Sequence, residues 1–238
     1  MRMLKIDDVR SGYGGVEVLH GASITIPEGE RLGLFGPNGH GKTTLLRTIS
    51  GLVRARTGTI EFNGETISGL SPREIVKRGI IHVPQGNTLF PQMTVSECLL
   101  LGAYSQRTWS HREESLIRVY ELFPKLKQRL AQRAGSLSGG ERQMLSIGVG
   151  LMSMPSLLML DEPSLGLAPR MIEELTQGIL EIAGSGVTML LVDQNVEMLL
   201  DCCGPLFLLE QGQVSLEAEN ADEFDEERLL GRYFGTVA

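Results

Sequence analysis

The chain has 238 residues, of which 42% are hydrophobic and 21% charged. This composition excludes a disordered or fibrous protein and supplies enough interior for a core without a disulfide or metal staple. The net charge is −7 and the acid-only window 217–227 carries all of it, so the rest of the chain has no positive excess with which to displace counterions from DNA or RNA, and no nucleic-acid partner is expected.

No apolar run approaches the roughly 20 residues that span a bilayer. Residues 1–8 lack the apolar stretch of a secretory signal and place acids where a transit peptide avoids them, which predicts a protein made and kept in the cytosol. Cys98, Cys202 and Cys203 have no metal-ligand spacing, so three reduced thiols are expected. His20, His40, His82 and His111 are scattered and form no ligand cluster.

In chain order, strands are expected at 4–9, 23–26 and 58–62, with turn signals at Pro27-Glu28-Gly29 and Asn63-Gly64. Residues 31–35 form a short apolar strand that runs into a glycine-rich loop. Leu45, Leu46, Ile49 and Leu52 then recur at helical spacing, with Gly51 near the stop. The middle, about 95–132, reads as helical, with a break at Pro124. Residues 157–160 and 187–192 are buried-strand runs separated by a helix over about 170–183. Strand–helix alternation with strands apolar throughout predicts an α/β fold, its mostly parallel sheet covered on both faces. The acidic tail, 217–238, reads as a solvated helix or loop.

Three motifs carry chemistry. The loop Gly36-Pro37-Asn38-Gly39-His40-Gly41-Lys42-Thr43-Thr44 matches GxxxxGK[ST] in full, between a strand and a helix. Glycines let backbone N–H groups turn inward on phosphate oxygens, and the helix start adds the positive end of its dipole. Lys42 supplies a mobile charge to the outer phosphates, and the Thr43 hydroxyl suits Mg²⁺. His40, between two glycines, is expected to face solvent. The apolar strand 157–160 closes on Asp161 and Glu162, which places one carboxylate at a Mg²⁺ water shell and the other where it polarises an attacking water. Ser138 with Glu141 fits a capping box, and Gly139 and Gly140 at that helix start make a second anion site.

Together these residues resemble the ATP-binding-cassette (ABC) ATPases over the whole chain. The phosphate loop, Gln85 in Val83-Pro84-Gln85-Gly86, the signature Leu137-Ser138-Gly139-Gly140-Glu141 and the Asp161-Glu162 strand end stand in that family's order. The resemblance implies one cassette over 1–238: a RecA-like phosphate-loop core, an N-terminal antiparallel β subdomain and an inserted helical subdomain at about 87–140. It further implies that Tyr13 stacks on adenine, that Thr43, Gln85 and Asp161 hold Mg²⁺, and that Glu162 is the general base. Ser138, Gly139 and Gly140 would act in trans on ATP held by a second ATPase subunit.

Two departures from the family pattern stand out. Gln194 occupies the place of the usual switch histidine, and Ala168 that of a common aspartate. The strings EPSLGLAP (162–169) and VDQN (192–195) are similar to the shorter of the two ATPase types of branched-chain amino acid importers; urea and short-amide importers use related ATPases. On this reading the partners are membrane permease subunits, a second ATPase and, indirectly, a solute-binding protein, and the chain sits on the cytoplasmic face of the membrane. Leu89, Phe90 and Met93 are expected to line the groove for a permease helix. A soluble cassette of DNA repair or translation is the alternative in another class.

Overall fold

A computed structural model describes residues 2–86 and 88–224 of the chain. Two N-terminal strands, β1 (Arg2–Tyr13) and β2 (Val16–Pro27), form a long antiparallel hairpin. They extend well beyond the runs 4–9 and 23–26, because the backbone ladder continues through polar residues that have no apolar signal of their own. β3 (Arg31–Phe35) leads into the phosphate-type loop and α1 (Lys42–Ile49), after which β4 (Ala55–Phe62) and β5 (Glu65–Thr66) return to the first sheet. That sheet has the order β2-β1-β4-β5 and is antiparallel throughout.

Helix α2 (Pro72–Lys77) precedes β6 (Ile80–Val83). Four helices follow: α3 (Val95–Gly102), α4 (Gln106–Ser110), α5 (Arg112–Leu122) and α6 (Pro124–Gln128). The stretch expected to be helical is thus divided, and Pro124 starts a helix as well as ending one, since its missing N–H costs nothing in a first turn. Then come α7 (Gly139–Met152), β7 (Leu157–Asp161), α8 (Pro169–Gly184), β8 (Thr188–Val192), α9 (Val196–Cys202), β9 (Leu206–Glu210) and β10 (Gln213–Ala218). Glu217 therefore lies within an edge strand rather than opening a solvated helix or loop; the tail from 225 onward lies outside the described residues.

The second sheet has the order β10-β9-β3-β8-β7-β6, parallel except for β10. Its central strands are buried on both faces, and their side chains alternate between two cores. Leu157 and Met159 of β7 pack with Leu45, Leu46 and Ile49 of α1 beneath the antiparallel sheet. Leu158 and Leu160 pack on the other side with α3, α7 and α8 through Leu99, Leu145 and Ile179. Two-sided burial explains why these strands read as unbroken apolar runs. The described residues include no helix long and apolar enough to cross a membrane. Cys98, Cys202 and Cys203 are buried free thiols, and burial pushes Cys202 up to about 12, so it is not a reactive thiolate.

Candidate nucleotide site

Four neighbouring parallel strands, β3, β8, β7 and β6, end at one edge of the sheet, and in open α/β sheets the crevice beyond the carboxyl ends of the strands is where ligands sit. β3 delivers the glycine loop, β8 ends just before Gln194, β7 ends in Asp161 with Glu162 next, and β6 is followed by Gln85. Strands about 4.8 Å apart therefore bring together residues that the sequence separates widely. An open cleft of about 330 Å³ is lined by Asn38, Gly39, Gly41, Lys42, Thr43, Thr44, Gln85, Glu162, Leu165 and Gln194.

Glycine is required at the loop's first position. Gly36 has φ 153°, and a Cβ there would lie 2.2 Å from the Leu209 carbonyl oxygen. Gly41, in the left-handed region at φ 110°, opens α1. Lys42 folds back over the loop and donates to the carbonyls of Gly36 (2.8 Å) and Pro37 (3.2 Å). His40 departs from the expectation of a solvent-facing ring, and it does not line the cleft either. Its Nδ1 accepts from the Gln211 backbone N–H at 3.2 Å, while its carbonyl accepts from Gly212. The ring is pinned to the β9–β10 turn and anchors the loop from behind.

Glu162 is the hub. Its carboxylate accepts from Gln85 Nε2 at 2.6 Å and from Gln194 Nε2 at 2.9 Å, and Lys42 Nζ stands 3.5 Å away. The backbone turns sharply there. Glu162 has φ 45° and its N–H donates to the Val192 carbonyl at 2.7 Å. A left-handed glutamate stores strain of order 1 kcal/mol or more, a cost that clusters at functional sites. Asp161, one residue earlier, points elsewhere: its Oδ1 accepts from Thr43 Oγ1 at 3.2 Å. Burial, reinforced by the neighbouring Glu162 charge, pushes Asp161 up to about 6.

A cation would find hard oxygen donors here. Gln85 spends its NH₂ on Glu162, which leaves its carbonyl oxygen available, and Thr43 and Asp161 stand together; this donor set fits Mg²⁺. Asp161 Oδ2 is buried without a hydrogen-bond partner, as is His82 Nε2, 3.9 Å away.

The signature residues lie outside this cleft. Ser138 caps α7 through the expected reciprocal box: Ser138 N–H donates to Glu141 Oε2 at 2.9 Å and Glu141 N–H to Ser138 Oγ at 3.3 Å. Arg129 holds the other Glu141 oxygen at 2.8 Å. Gly139 is open, whereas a Cβ on Gly140 would lie 2.2 Å from the Met171 methyl. Tyr13 does not line the cleft; its ring is half exposed and its hydroxyl accepts from Arg47 of α1 at 3.2 Å. Of the trio expected in a docking groove, Leu89 and Phe90 line a hollow of about 250 Å³ with Cys98, Leu101 and Val149. Met93 and Leu89 both pack, partly buried, against the helical core.

Asp193 escaped the sequence reading. It is buried, and its carboxylate accepts from Ser164 Oγ (2.6 Å), Ser164 N–H (2.9 Å), Gln194 N–H (2.7 Å) and Asn195 N–H (2.9 Å). The segment after Glu162 is thereby tied to the segment carrying Gln194. The available signal was an acid at the end of a buried strand directly before a polar pair.

Comparison with known proteins agrees with this geometry. The ABC transporter family model matches residues 19–165. A high-affinity branched-chain amino acid transport ATP-binding protein of Pseudomonas aeruginosa is 40% identical over 98% of this chain and 100% of its own length. A lipopolysaccharide export ATP-binding protein of Haemophilus influenzae is 31% identical over 99% and 98%. Among solved structures, an ATP-binding cassette of an ABC transporter in its ADP conformation is similar with a TM-score of 0.85 and 27% identity, covering 99% of both chains. The chain belongs to the ABC transporter family, as an ATPase cassette.

Proposed function

We propose that this cassette powers an importer of branched-chain amino acids, docked on the cytoplasmic face of the membrane beneath separate permease subunits and fed indirectly by a solute-binding protein. The convergence of Lys42, Gln85, Glu162 and Gln194 on one cleft carries the catalytic reading, and full-length similarity to a branched-chain amino acid transport protein favours the solute.

ATP binding begins with the loop. Backbone N–H groups from Gly39 to Thr44 and the start of α1 receive the phosphates, and Lys42 exchanges its bonds to the Gly36 and Pro37 carbonyls for phosphate oxygens. Thr43, Gln85 and Asp161 would hold Mg²⁺, which would neutralise phosphate charge there. Tyr13 stacks on the adenine. Glu162, released from the Lys42 charge as that lysine turns to phosphate, orients a water and accepts its proton, while the Gln194 amide donates to the outer phosphate. Gln194 cannot titrate, so it positions without exchanging protons. The signature residues Ser138, Gly139 and Gly140 face away from their own cleft and complete the site of a second ATPase subunit. The helices α3–α6 form the segment that passes closure on, through the hollow at Leu89 and Phe90, to a permease helix.

Reconstitution tests this. With its permease and binding protein in vesicles, ATP hydrolysis by the chain should rise when leucine, isoleucine or valine is loaded. Stimulation by urea or short amides alone would overturn the solute; binding to DNA or ribosomes in place of permease vesicles would overturn the transport role.

A further inference from the structure

Away from the nucleotide cleft, two hollows lie side by side along β6, the strand at one edge of the parallel sheet. The first, at Leu89 and Phe90, takes Ile81 and Val83 from β6 itself, and no Lys, Arg, Asp or Glu lines it. The second, of about 430 Å³, is bounded by α2 and α4 and meets the first at Ser153; Gly79, just before β6, forms part of its wall. Its charged lining is Arg73 and Lys77 of α2 and Arg107 of α4, with no carboxylate among the lining residues.

Among the described residues, none of these three cations forms an ion pair. The nearby acids are committed elsewhere: Glu65 to Arg78 at 3.5 Å, and Glu74 Oε2 to the N–H and hydroxyl of Ser71 in the cap of α2. Arg73 and Lys77 stand four apart on α2, hence on one helix face, where like charges repel. Such a cluster stands out in a chain of net charge −7. Glu217, where the acid-only window begins, lies on β10 at the opposite edge of the same sheet. Five strand spacings set the two edges about 24 Å apart. That is more than two Debye lengths of about 10 Å each at about 0.1 M salt, so the acids there barely weaken the field at the β6 edge. At the rim of the cationic hollow Tyr104 is 61% exposed, and Phe90 and Leu101 of the apolar hollow are exposed as well. Unpaired cations beside exposed aromatic rings suit the headgroup level of an anionic bilayer.

We propose that the hollow between α2 and α4 receives the phosphate headgroup of an anionic phospholipid, so that the cassette touches the bilayer surface directly while the apolar hollow beside it takes the permease helix. Arg73 and Arg107 offer planar forks that match phosphate oxygens in pairs, and Lys77 adds a point charge. Tyr104 sits at headgroup depth, its ring toward the lipid and its hydroxyl toward water. The placement beside the membrane rests on the reading of the hollow at Leu89 and Phe90 as the permease's docking face.

The test sediments the full-length chain, without permease, with vesicles of phosphatidylcholine alone or of phosphatidylcholine and phosphatidylglycerol in equal parts. At about 0.1 M salt the chain should bind only the vesicles that hold phosphatidylglycerol, and at about 1 M, where the Debye length falls to about 3 Å, it should release them. Each cation held at an anionic surface contributes about fivefold to binding, so Arg73→Ala, Lys77→Ala and Arg107→Ala combined should weaken it about 100-fold. Removing three exposed cations outside the hollow, with Arg56→Ala, Lys127→Ala and Arg170→Ala, changes the net charge equally and should cost less than about twofold. Equal losses in the two triple variants, or none in the first, would overturn the proposal. So would a wild-type chain that ignores phosphatidylglycerol. If the three cations matter only for phosphatidylcholine vesicles that carry the permease, their partner is an acidic permease segment and the lipid assignment falls. A chain that binds phosphatidylglycerol through these residues yet fails to dock on permease-bearing phosphatidylcholine vesicles would keep the lipid contact and remove the docking reading of the apolar hollow.

Discussion

Replacing Asp161 with asparagine should make the nucleotide-free chain more stable while abolishing its hydrolysis. The side chain is fully buried at the end of β7, and burial is the main cause that moves its pKa from 3.8 to about 6. A native state that holds a proton more tightly than the unfolded chain loses stability as pH rises. The loss begins near the unfolded value, about pH 4, and is complete above about pH 6. Two units amount to about 3 kcal/mol at neutral pH, or roughly 6–12 °C in melting temperature for a chain of this size. The asparagine keeps the carbonyl that accepts from Thr43 and carries no charge to desolvate. Thermal denaturation in EDTA without nucleotide, from pH 4 to 8, should show the two proteins alike at the acid end and the variant ahead above pH 6. A variant equal to or less stable than wild type at pH 7.5 would refute the desolvation argument.

Other substitutions follow from the same geometry. Lys42→Ala removes a charged donor from the phosphate oxygens and should weaken ATP binding about 10–100-fold by fluorescent-nucleotide titration. Asp193→Ala strands four donors from Ser164, Gln194 and Asn195; chemical denaturation should show a loss of about 3 kcal/mol, accompanied by slower turnover. Gly140→Ala brings a methyl against the flexible end of the half-buried Met171 side chain, which can swing aside, and by chemical denaturation should change stability by less than about 1 kcal/mol.

The sequence makes the site more legible than the frame around it. The loop 36–44 and the acid pair 161–162 were readable because their chemistry demands residue types at fixed offsets, and a strand apolar on both faces announces itself. The length of β1 and β2 was not readable, since a paired strand continues through residues such as Asp7, Asp8 and Arg10 that lack apolar alternation. His40 misled because flanking glycines suggest exposure, whereas its contact with Gln211 comes from a turn far along the chain. Leu89, Phe90 and Met93 look alike in sequence, and only the fold distinguishes them: Leu89 and Met93 pack against the helical core, while Leu89 and Phe90 line the hollow. Asp193 ties its own neighbours Gln194 and Asn195 to Ser164, 29 positions earlier, and a single buried polar residue gives no periodic signal.

The role of Glu162 is tested most directly by single-turnover hydrolysis in the Glu162→Gln chain, with ATP binding measured on the same preparation. The amide keeps the size of the side chain and its reach toward Gln85 and Gln194 but cannot accept a proton. Turnover should fall by about 10²–10⁴ with nucleotide affinity retained. Hydrolysis at the wild-type rate would contradict the account, because the group on which Lys42, Gln85 and Gln194 converge would then not be the base.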